Sequence, residues 1–435
     1  MSVLRPGERP LDNDLLLVNV ATGEAQVTLA HPDEPAQVGP PAWISPTKFY
    51  AATNAGRDFA AVVRKELNQP RPEAVLADGF DAEVVGNART LAVIENRGGA
   101  SAIRLHDPVT GEATIAVATE EPGVVSSHAF APPQLSADGA RLYYTLSTPR
   151  IPGDVFVHDR SAGATRRLTS SPTGIGGDQL VTPSAHQVPS FDGEMIPLFV
   201  FAPQIANPPV VIVIHGGPEA QAMLSFNPIV QALALRGYGV VVPNVRGSTG
   251  YGKRYAALDD TTKRLDSVKD LEAIHGALDD LGFDGARAAL WGGSYGGYMV
   301  LAGLAFQPHL WSAGVDIVGI SNLVTFLENT SDYRRAHRER EYGSLTRDRA
   351  FLETASPLTH AKAITAPLFV IHGRNDPRVP VSEAEQLTGD LQRRGIPTTL
   401  CIYEDEGHGL ARLENRLDAY PRAIAFLDGI LNPGA

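Results

Sequence analysis

The stretch WGGSYGGYMV at residues 291–300 decides the fold of the second half of this chain, and Ser294 lies near its centre. The run just before it is apolar and strand-like, and the run after it stays apolar up to Pro308, as in a helix. A strand that reverses into a helix at Gly-x-Ser-x-Gly, here Gly292 and Gly296 around the serine, is a nucleophile elbow. Glycine is needed because a Cβ in so tight a turn would clash, and the serine takes a strained backbone conformation. The motif predicts an exposed serine hydroxyl at the carboxyl edge of a β-sheet.

Strands and helices alternate from about residue 197 onward, which is typical of a doubly wound, mostly parallel sheet. The predicted strands are apolar runs at residues 198–201, 210–214, 240–242, 288–291, 314–318, 368–371 and 399–403. The predicted helices span about residues 222–236, 265–281, 295–306, 382–394 and 415–431. Ligands bind such sheets at the carboxyl ends of the strands, where the elbow also falls. We therefore expect residues 185–435 to form a catalytic α/β domain.

Residues 1–184 are predicted to be all-β, since short alternating or β-branched runs are separated by turn residues. Three segments resemble one another as strand, tight turn and strand: NVATGEAQVTL from residue 19, HDPVTGEATIAV from 106 and HDRSAGATRRLT from 158. Their spacing fits repeats of roughly 40 to 50 residues with four strands each, which is the size of a β-propeller blade. We expect a propeller-like domain of three to four blades, the first without its two leading strands, with a β-sandwich as the alternative. Open strand edges in so short an array favour self-association.

A serine hydroxyl needs a general base beside it to act as a nucleophile, and in this kind of sheet the partners follow in the order Ser, Asp or Glu, His. Asp376 follows the strand-like run PLFVIHG, and His408 follows the strand-like run TLCIYEDEG. Both therefore fall on loops at carboxyl ends of strands, as Ser294 does. We predict that His408 takes the serine proton and that Asp376 fixes the imidazole tautomer and stabilises its cation.

Other residues compete for these roles. Asp405 and Glu406 share the loop of the proposed base, and Asp316 ends the strand after the elbow helix, so each is an alternative acid. His372 and His215 also end strands next to glycine, but both come too early in the chain for the expected order.

An oxyanion hole needs two hydrogen-bond donors aimed at the developing negative charge. One donor is predicted to be the backbone N–H of Tyr295, directly after the nucleophile. The other is predicted in the loop after the strand VVIVI, where Gly216 and Gly217 allow a close backbone approach.

The composition is that of an ordinary globular protein, with 435 residues, 43% hydrophobic and 20% charged. The net charge of −12 argues against nucleic-acid binding, since no basic stretch could neutralise phosphates. Cys401 is the one cysteine and lies in an apolar strand-like run, so we expect a buried thiol and no internal disulfide.

No secretory-type start and no apolar run of membrane-spanning length is present, which predicts a cytoplasmic protein without a membrane anchor. We expect no metal and no cofactor.

Five motifs together resemble the prolyl oligopeptidase family of serine peptidases and are most similar to its acylaminoacyl-peptidase branch. They are HGGPEAQ, NVRGSTGYGKRY, WGGSYGGYM, HGRNDPRVP and YEDEGHG, and the resemblance covers about residues 185–435. It implies an α/β-hydrolase domain capped by a β-propeller that restricts access to short peptides.

The resemblance also implies roles for individual residues, and the family's triad maps onto the three residues already reached. Arg378, two positions after the aspartate, would bind the substrate carbonyl that precedes the scissile residue, and Val379 would line the pocket for the residue before the scissile bond. Some branches place a tyrosine just before the two glycines, where its hydroxyl donates to the oxyanion. This chain has His215 there, which leaves the oxyanion to Gly217 and Tyr295.

The sequence departs from the family in two ways. Relatives usually carry about twice as many blades as this chain has room for, and we find no paired-glutamate motif for a free amino terminus, which argues against dipeptidyl-peptidase activity. The leading hypothesis is a serine peptidase of the acylaminoacyl-peptidase, aminopeptidase or oligopeptidase type acting on short peptides. The alternatives are a carboxylesterase with the same triad and a catalytically silent propeller-type binding protein.

Overall fold

The structure is a computed structural model that describes residues 1–7, 11–125 and 132–432. These residues divide into two compact units, and two short segments from the middle of the chain belong to the first unit. Within the described residues, the first unit comprises Met1–Leu180, Met223–Asn227 and Thr249–Ala256, and the second comprises Val181–Ala222, Pro228–Ser248 and residues 257–432. The domain boundary expected between residues 184 and 185 stays a prediction.

The first unit contains, in its described residues, four antiparallel sheets that follow one another along the chain. The strand orders are β1-β2-β3, β4-β5-β6-β7, β8-β9-β10-β11 and β12-β14-β15-β16, with β13 also paired to β14. The strands are β1 (Ser2–Pro6), β2 (Asn13–Val18), β3 (Ala25–Thr28), β4 (Ala42–Trp43), β5 (Lys48–Thr53), β6 (Ala61–Glu66), β7 (Ala74–Leu76), β8 (Asp81–Gly86), β9 (Leu91–Arg97), β10 (Ala100–His106), β11 (Ala113–Val117), β12 (Val124–Val125), β13 (Gln134–Leu135), β14 (Arg141–Ser147), β15 (Asp154–Asp159) and β16 (Ala164–Arg167).

Buried apolar clusters join each sheet to the next one. Leu15 of the first sheet packs with Phe49 of the second, Tyr50 of the second packs in a cluster with Val93 of the third, and Ile103 of the third packs in a cluster with Phe156 of the fourth. A sandwich buries one core between two sheets, whereas propeller blades bury one core between each successive pair. The propeller-like prediction with a reduced number of blades is therefore confirmed, and the sandwich alternative is wrong.

The three repeated segments form the hairpins β2–β3, β10–β11 and β15–β16, as predicted. Gly23, Gly111 and Gly163 take φ values of 76°, 79° and 60° in these turns, a region that glycine enters without a Cβ clash. The side chain of Asp107 accepts two backbone N–H groups of its turn, from Val109 and Thr110 at 2.8 and 2.9 Å. Asp and Asn favour turns for this reason.

The first sheet differs from expectation, because it has three strands where two were predicted. Ser2–Pro6 pairs with Asn13–Val18 from Ser2 opposite Leu17 to Pro6 opposite Asn13. The side chains of this strand are exposed, so the alternating burial that marks a strand in a sequence is absent there.

The second unit is built on an eight-stranded sheet with the order β17-β18-β20-β19-β21-β22-β23-β24. The pairs β17–β18 and β18–β20 are antiparallel, and the pairs from β20 to β24 are parallel. This is the α/β-hydrolase arrangement, and the predicted fold class is confirmed. The strands are β17 (Ser184–Pro189), β18 (Met195–Phe201), β19 (Pro209–Ile214), β20 (Gly239–Pro243), β21 (Asp284–Gly293), β22 (Ala313–Ile317), β23 (Leu368–Gly373) and β24 (Thr398–Tyr403).

The helices of the described residues agree with the predicted ones in place but not always in length. The helix predicted at 265–281 ends at Gly276, because residues 277–283 form turns that close at Gly282 with φ 85°. Three helices between β22 and β23 were not predicted at all. Every helix of the described chain is too short or too polar to cross a membrane. The α-helices are α1 (Pro228–Leu235), α2 (Gly252–Ala256), α3 (Arg264–Gly276), α4 (Tyr295–Phe306), α5 (Leu323–Asn329), α6 (Asp332–Tyr342), α7 (Arg349–Ala355), α8 (Ser382–Arg393) and α9 (Leu413–Leu431).

Candidate active site

The turn between β21 and α4 holds Ser294 in a strained conformation, with φ 58° and ψ −115°. The flanking glycines have no room for a side chain. A Cβ on Gly292 would lie 2.2 Å from the carbonyl oxygen of Gly296, and a Cβ on Gly296 would lie 2.3 Å from that of Ile214. The Ser294 N–H donates to the Ile317 carbonyl of the neighbouring strand end at 2.8 Å. The backbone is thus fixed, and the serine side chain remains partly exposed at the carboxyl edge of the sheet.

Three side chains from separate loops meet at this edge. The Nε2 atom of His408 lies 3.0 Å from Ser294 Oγ, and its Nδ1 atom lies 2.7 Å from Asp376 Oδ2. The side chain of Asp376 is fully buried, whereas the imidazole of His408 is 14% exposed. With a proton on Nδ1 held toward the carboxylate, Nε2 is left as the acceptor for the serine hydroxyl.

The loop around Asp376 stabilises the ionised form of its carboxylate. Burial alone would raise the pKa of Asp376, but the hydrogen bond from His408 and the backbone N–H groups of Val379 and Arg378 outweigh it, so the pKa lies below its ordinary value. Those two N–H groups donate to Oδ1 at 3.0 and 2.7 Å, which leaves Oδ2 for the imidazole.

Two hydroxyl groups of residues between α5 and α6 donate hydrogen bonds to the loop of Asp376. Thr330 Oγ1 donates to the carbonyl of Arg378 at 3.0 Å, and Ser331 Oγ donates to that of Pro377 at 2.9 Å. No sequence signal pointed to either residue, since serine and threonine beside a helix start are interpreted as caps.

The three alternative acids have other surroundings. Asp316 is fully buried against Gly297 and Gly319, and its Oδ1 has no hydrogen-bond partner among the described residues. Asp405 pairs with Arg412 at the protein surface. The carboxylate of Glu406 faces backbone N–H groups that follow His408 in the chain. Asp376 is therefore the carboxylate that contacts the imidazole.

The two competing histidines do not touch the serine hydroxyl. His372 is fully buried, and its Nε2 lies 3.0 Å from the carbonyl oxygen of Val379. Burial lowers the pKa of His372. The Nε2 atom of His215 lies 2.9 Å from Ser248 Oγ, and burial lowers the pKa of His215 as well. Burial therefore favours the neutral form of both imidazoles.

The loop after β19 lies directly beside the elbow. A Cβ on Gly216 would lie 3.7 Å from the Cβ of Ser294, and Gly217 takes φ 146°. A Cβ on Gly217 would lie 2.9 Å from the backbone nitrogen of Glu219, so the turn requires glycine. The loop that carries the predicted Gly217 donor therefore lies beside Ser294. The other predicted donor, the Tyr295 N–H, directly follows the serine in the chain.

The side chain of Tyr295 is buried in a charged cluster. Its hydroxyl contacts Ser267 Oγ at 3.0 Å and Asp259 Oδ2 at 3.2 Å. The fully buried Arg264 pairs with Asp259 and with Glu341, and its guanidinium lies over the ring of Tyr295 at 5.3 Å. Burial raises the pKa of Asp259 and of Glu341 to about 7, since Arg264, helped at Glu341 by Arg338, offsets only part of the cost of burying both charges. The cluster fixes the residue that carries the predicted oxyanion N–H.

The two residues expected to contact substrate have different surroundings. The side chain of Arg378 is exposed and forms no hydrogen bond or ion pair within the described chain. Val379 is 2% exposed, with its carbonyl against His372. Arg378 is therefore accessible to a ligand, whereas Val379 offers little surface.

An elbow serine, an imidazole at hydrogen-bond distance and a buried carboxylate behind it, on a sheet of this order, define a protein of the α/β-hydrolase class. Residues 224–434 match the model of the prolyl oligopeptidase family (Peptidase_S9). These residues are similar to that family, and the resemblance inferred from the motifs is confirmed.

Relatives from several branches of the family are similar to the chain. Dipeptidyl aminopeptidase BIII of Pseudoxanthomonas mexicana is 35% identical over 285 residues, which is 62% of this chain and 41% of the relative. The acylamino-acid-releasing enzyme of Sus scrofa is 28% identical over 235 residues, 52% of this chain and 32% of the relative. The chain thus spans less than half the length of these relatives. A crystal structure of a puromycin hydrolase has the same fold, with a TM-score of 0.87 at 21% identity, over 96% of this chain and 65% of that one.

Proposed function

We propose that this protein is a serine peptidase that cleaves short peptides through an acyl-enzyme intermediate. The observation that carries the proposal is the chain of hydrogen bonds from Ser294 through His408 to Asp376, at 3.0 and 2.7 Å. Similarity to the prolyl oligopeptidase family supports it, because the named relatives include a dipeptidyl aminopeptidase and an acylamino-acid-releasing enzyme.

In the proposed first step, Ser294 Oγ attacks the carbonyl carbon of the scissile peptide bond while Nε2 of His408 accepts the hydroxyl proton. The tetrahedral oxyanion accepts hydrogen bonds from the backbone N–H groups of Tyr295 and Gly217. Nε2 then returns the proton to the leaving amine as the C–N bond breaks, and the acyl group stays on the serine. Asp376 stabilises the imidazolium throughout.

In the second step, His408 takes a proton from a water molecule, which attacks the acyl-enzyme carbonyl. Collapse of the second tetrahedral species breaks the bond to Ser294 Oγ, and the proton returns to the serine. The lowered pKa of Asp376 supports this assignment, because a carboxylate that stays ionised favours the cation on His408 in both steps.

For substrate binding, we propose that the exposed guanidinium of Arg378 donates to the peptide carbonyl that precedes the scissile residue. We propose that Val379 lines part of the pocket for the residue before the scissile bond. The substrate class we favour is short peptides, including those with an acylated amino terminus, cleaved in the manner of an acylaminoacyl-peptidase, an aminopeptidase or an oligopeptidase.

The proposal is tested by digesting a library of free and N-acetylated short peptides with the wild-type protein and with Ser294→Ala, read by mass spectrometry. We expect defined cleavage products with the wild type and a loss of several orders of magnitude in the variant. Short-chain esters are the matched comparison. High kcat/KM on esters without peptide cleavage would instead establish the carboxylesterase.

Three further expectations belong to the same proposal. Residues 1–184 are proposed as the propeller-like domain and residues 185–435 as the catalytic domain. A cytoplasmic location is tested by cell fractionation, and self-association through β-strand edges is tested by sedimentation.

A further inference from the structure

Glu406, two residues before His408, is 2% exposed. A carboxylate this deeply buried needs hydrogen-bond donors to remain charged. Its donors lie beyond the histidine in the chain. Oε2 accepts the N–H of Ala411 at 2.9 Å, and Oε1 accepts the N–H of Arg412 at 2.8 Å and the side-chain amide of Asn415 at 2.9 Å.

These three hydrogen bonds link the two ends of the loop that contains His408. The carboxylate joins Glu406, two residues before His408, to the residues just before α9, so the intervening loop is fixed at both ends. Burial alone would raise the pKa of Glu406, but the donors from Ala411, Asn415 and Arg412 outweigh it and keep the pKa below its ordinary value.

The backbone of Glu406 joins the same loop to the loop of Asp376. Its carbonyl accepts the N–H of Asn375, the residue before the aspartate, at 2.9 Å. The two loops touch without space between them, since a Cβ on Gly373 would lie 2.2 Å from the carbonyl oxygen of Gly407. Glu406 therefore takes part both in the closure of the histidine loop, through its side chain, and in the contact of that loop with the aspartate loop, through its backbone carbonyl.

We propose that Glu406 is a positioning residue that holds the imidazole of His408 within hydrogen-bond distance of both Ser294 and Asp376. The inference rests on the proposed function, because it assigns the support of the same triad. Both imidazole contacts must be kept at once, and a displacement of about 1 Å in a reacting group can cost roughly a hundredfold in rate.

Glu406→Gln keeps the shape of the side chain but replaces one acceptor oxygen by an amide that faces a backbone N–H. We expect the rate at which a fluorophosphonate labels Ser294 to fall about ten- to a hundredfold, and kcat on a cleaved peptide to fall by the same factor. KM is expected to stay within about threefold, because the substrate-binding groups are untouched. Glu406→Ala is expected to be slower than Glu406→Gln, since it removes all three bonds.

The matched control is Glu404→Gln, which removes a charge from the same loop where the side chain is 72% exposed and pairs with Arg374. We expect its labelling rate to equal that of the wild type. If Glu406→Gln does not fold by circular dichroism, Asn415→Ala removes a single donor. Its labelling rate is expected to fall about three- to tenfold.

The positioning role is overturned if folded Glu406→Gln, or Asn415→Ala in its place, labels as fast as Glu404→Gln. It is also overturned if KM rises in proportion to the loss in kcat, since the whole site has then loosened. Failure of the proposed function is a different result, because the wild type then cleaves no peptide of the library, whereas the labelling rates of Glu406→Gln and Glu404→Gln are still compared with that of the wild type.

Discussion

The imidazole Nε2 of His408 lies 3.0 Å from the hydroxyl oxygen of Ser294, although 114 residues separate the two along the chain. The contact is made because parallel strands bring their carboxyl ends to one edge of a sheet. Ser294 follows β21 and His408 follows β24, with Asp376 after β23 between them. Each expected result below depends on the geometry of this edge or of the groups that support it.

Asp376→Asn should lower kcat about 10⁴-fold, because an amide can hold the imidazole in the wrong tautomer and cannot stabilise its cation. The measurement is kcat on the best peptide from the library. Asp405→Asn is the control, since Asp405 lies at the surface near His408 without contacting it. Equal rates for the two variants would show that Asp376 is not the acid.

Gly217→Ala should lower kcat by about 10²- to 10³-fold, the loss expected when an oxyanion donor is displaced. The added Cβ would lie 2.9 Å from the nitrogen of Glu219, at a φ of 146° that alanine rarely adopts. In Gly429→Ala, within α9, the added Cβ would have no atom of the described residues within 4 Å, so this variant is the control for adding a methyl group. A Gly217→Ala rate within twofold of this control would contradict the assignment of the loop.

Arg264→Met should reduce the free energy of unfolding by about 3 to 5 kcal/mol, because it leaves the carboxylate of Asp259 buried without its cation and leaves Glu341 with Arg338 alone. Urea denaturation measures the change. Arg349→Met, which removes an arginine from a surface ion pair, should change stability by less than about 0.5 kcal/mol. A similar effect of the two substitutions would mean that the buried cluster contributes no more than a surface pair.

Asp316 should make stability depend on pH. Burial raises the pKa of Asp316 to about 7, so the folded state binds a proton that the unfolded state releases near pH 4. Stability from this group is therefore greatest below pH 4 and falls as the pH rises toward 7.

Between pH 5 and 8, the wild type should lose about 2 to 3 kcal/mol more than Asp316→Asn, as measured by urea unfolding at each pH. Asp279→Asn, at an exposed aspartate, should leave the pH dependence of the wild type in place. Parallel curves for the wild type and Asp316→Asn would show that this carboxyl is ionised throughout.

The triad geometry follows from features that a sequence displays directly. Gly-x-Ser-x-Gly requires an elbow, and the order of Ser294, Asp376 and His408 after apolar runs places them at strand ends. The hairpins near Gly23, Gly111 and Gly163 were equally visible, because turn residues act locally.

The parts that were missed depend on contacts between distant residues. The helices α5 to α7 were not predicted, since α6 is almost entirely polar and shows no apolar periodicity. The burial of Arg264 could not be foreseen, because its partners come from two other segments. Glu406 was considered only as a substitute for Asp376, since the sequence shows its closeness to His408 but not the direction of its side chain.

The most direct test of the catalytic assignment is the intact mass of the protein after reaction with a fluorophosphonate, followed by peptide mapping. We expect one adduct per chain on Ser294 in the wild type, and no adduct in Ser294→Ala or in His408→Ala. An unlabelled wild-type serine, or an adduct on another residue that persists in Ser294→Ala, would contradict the assignment.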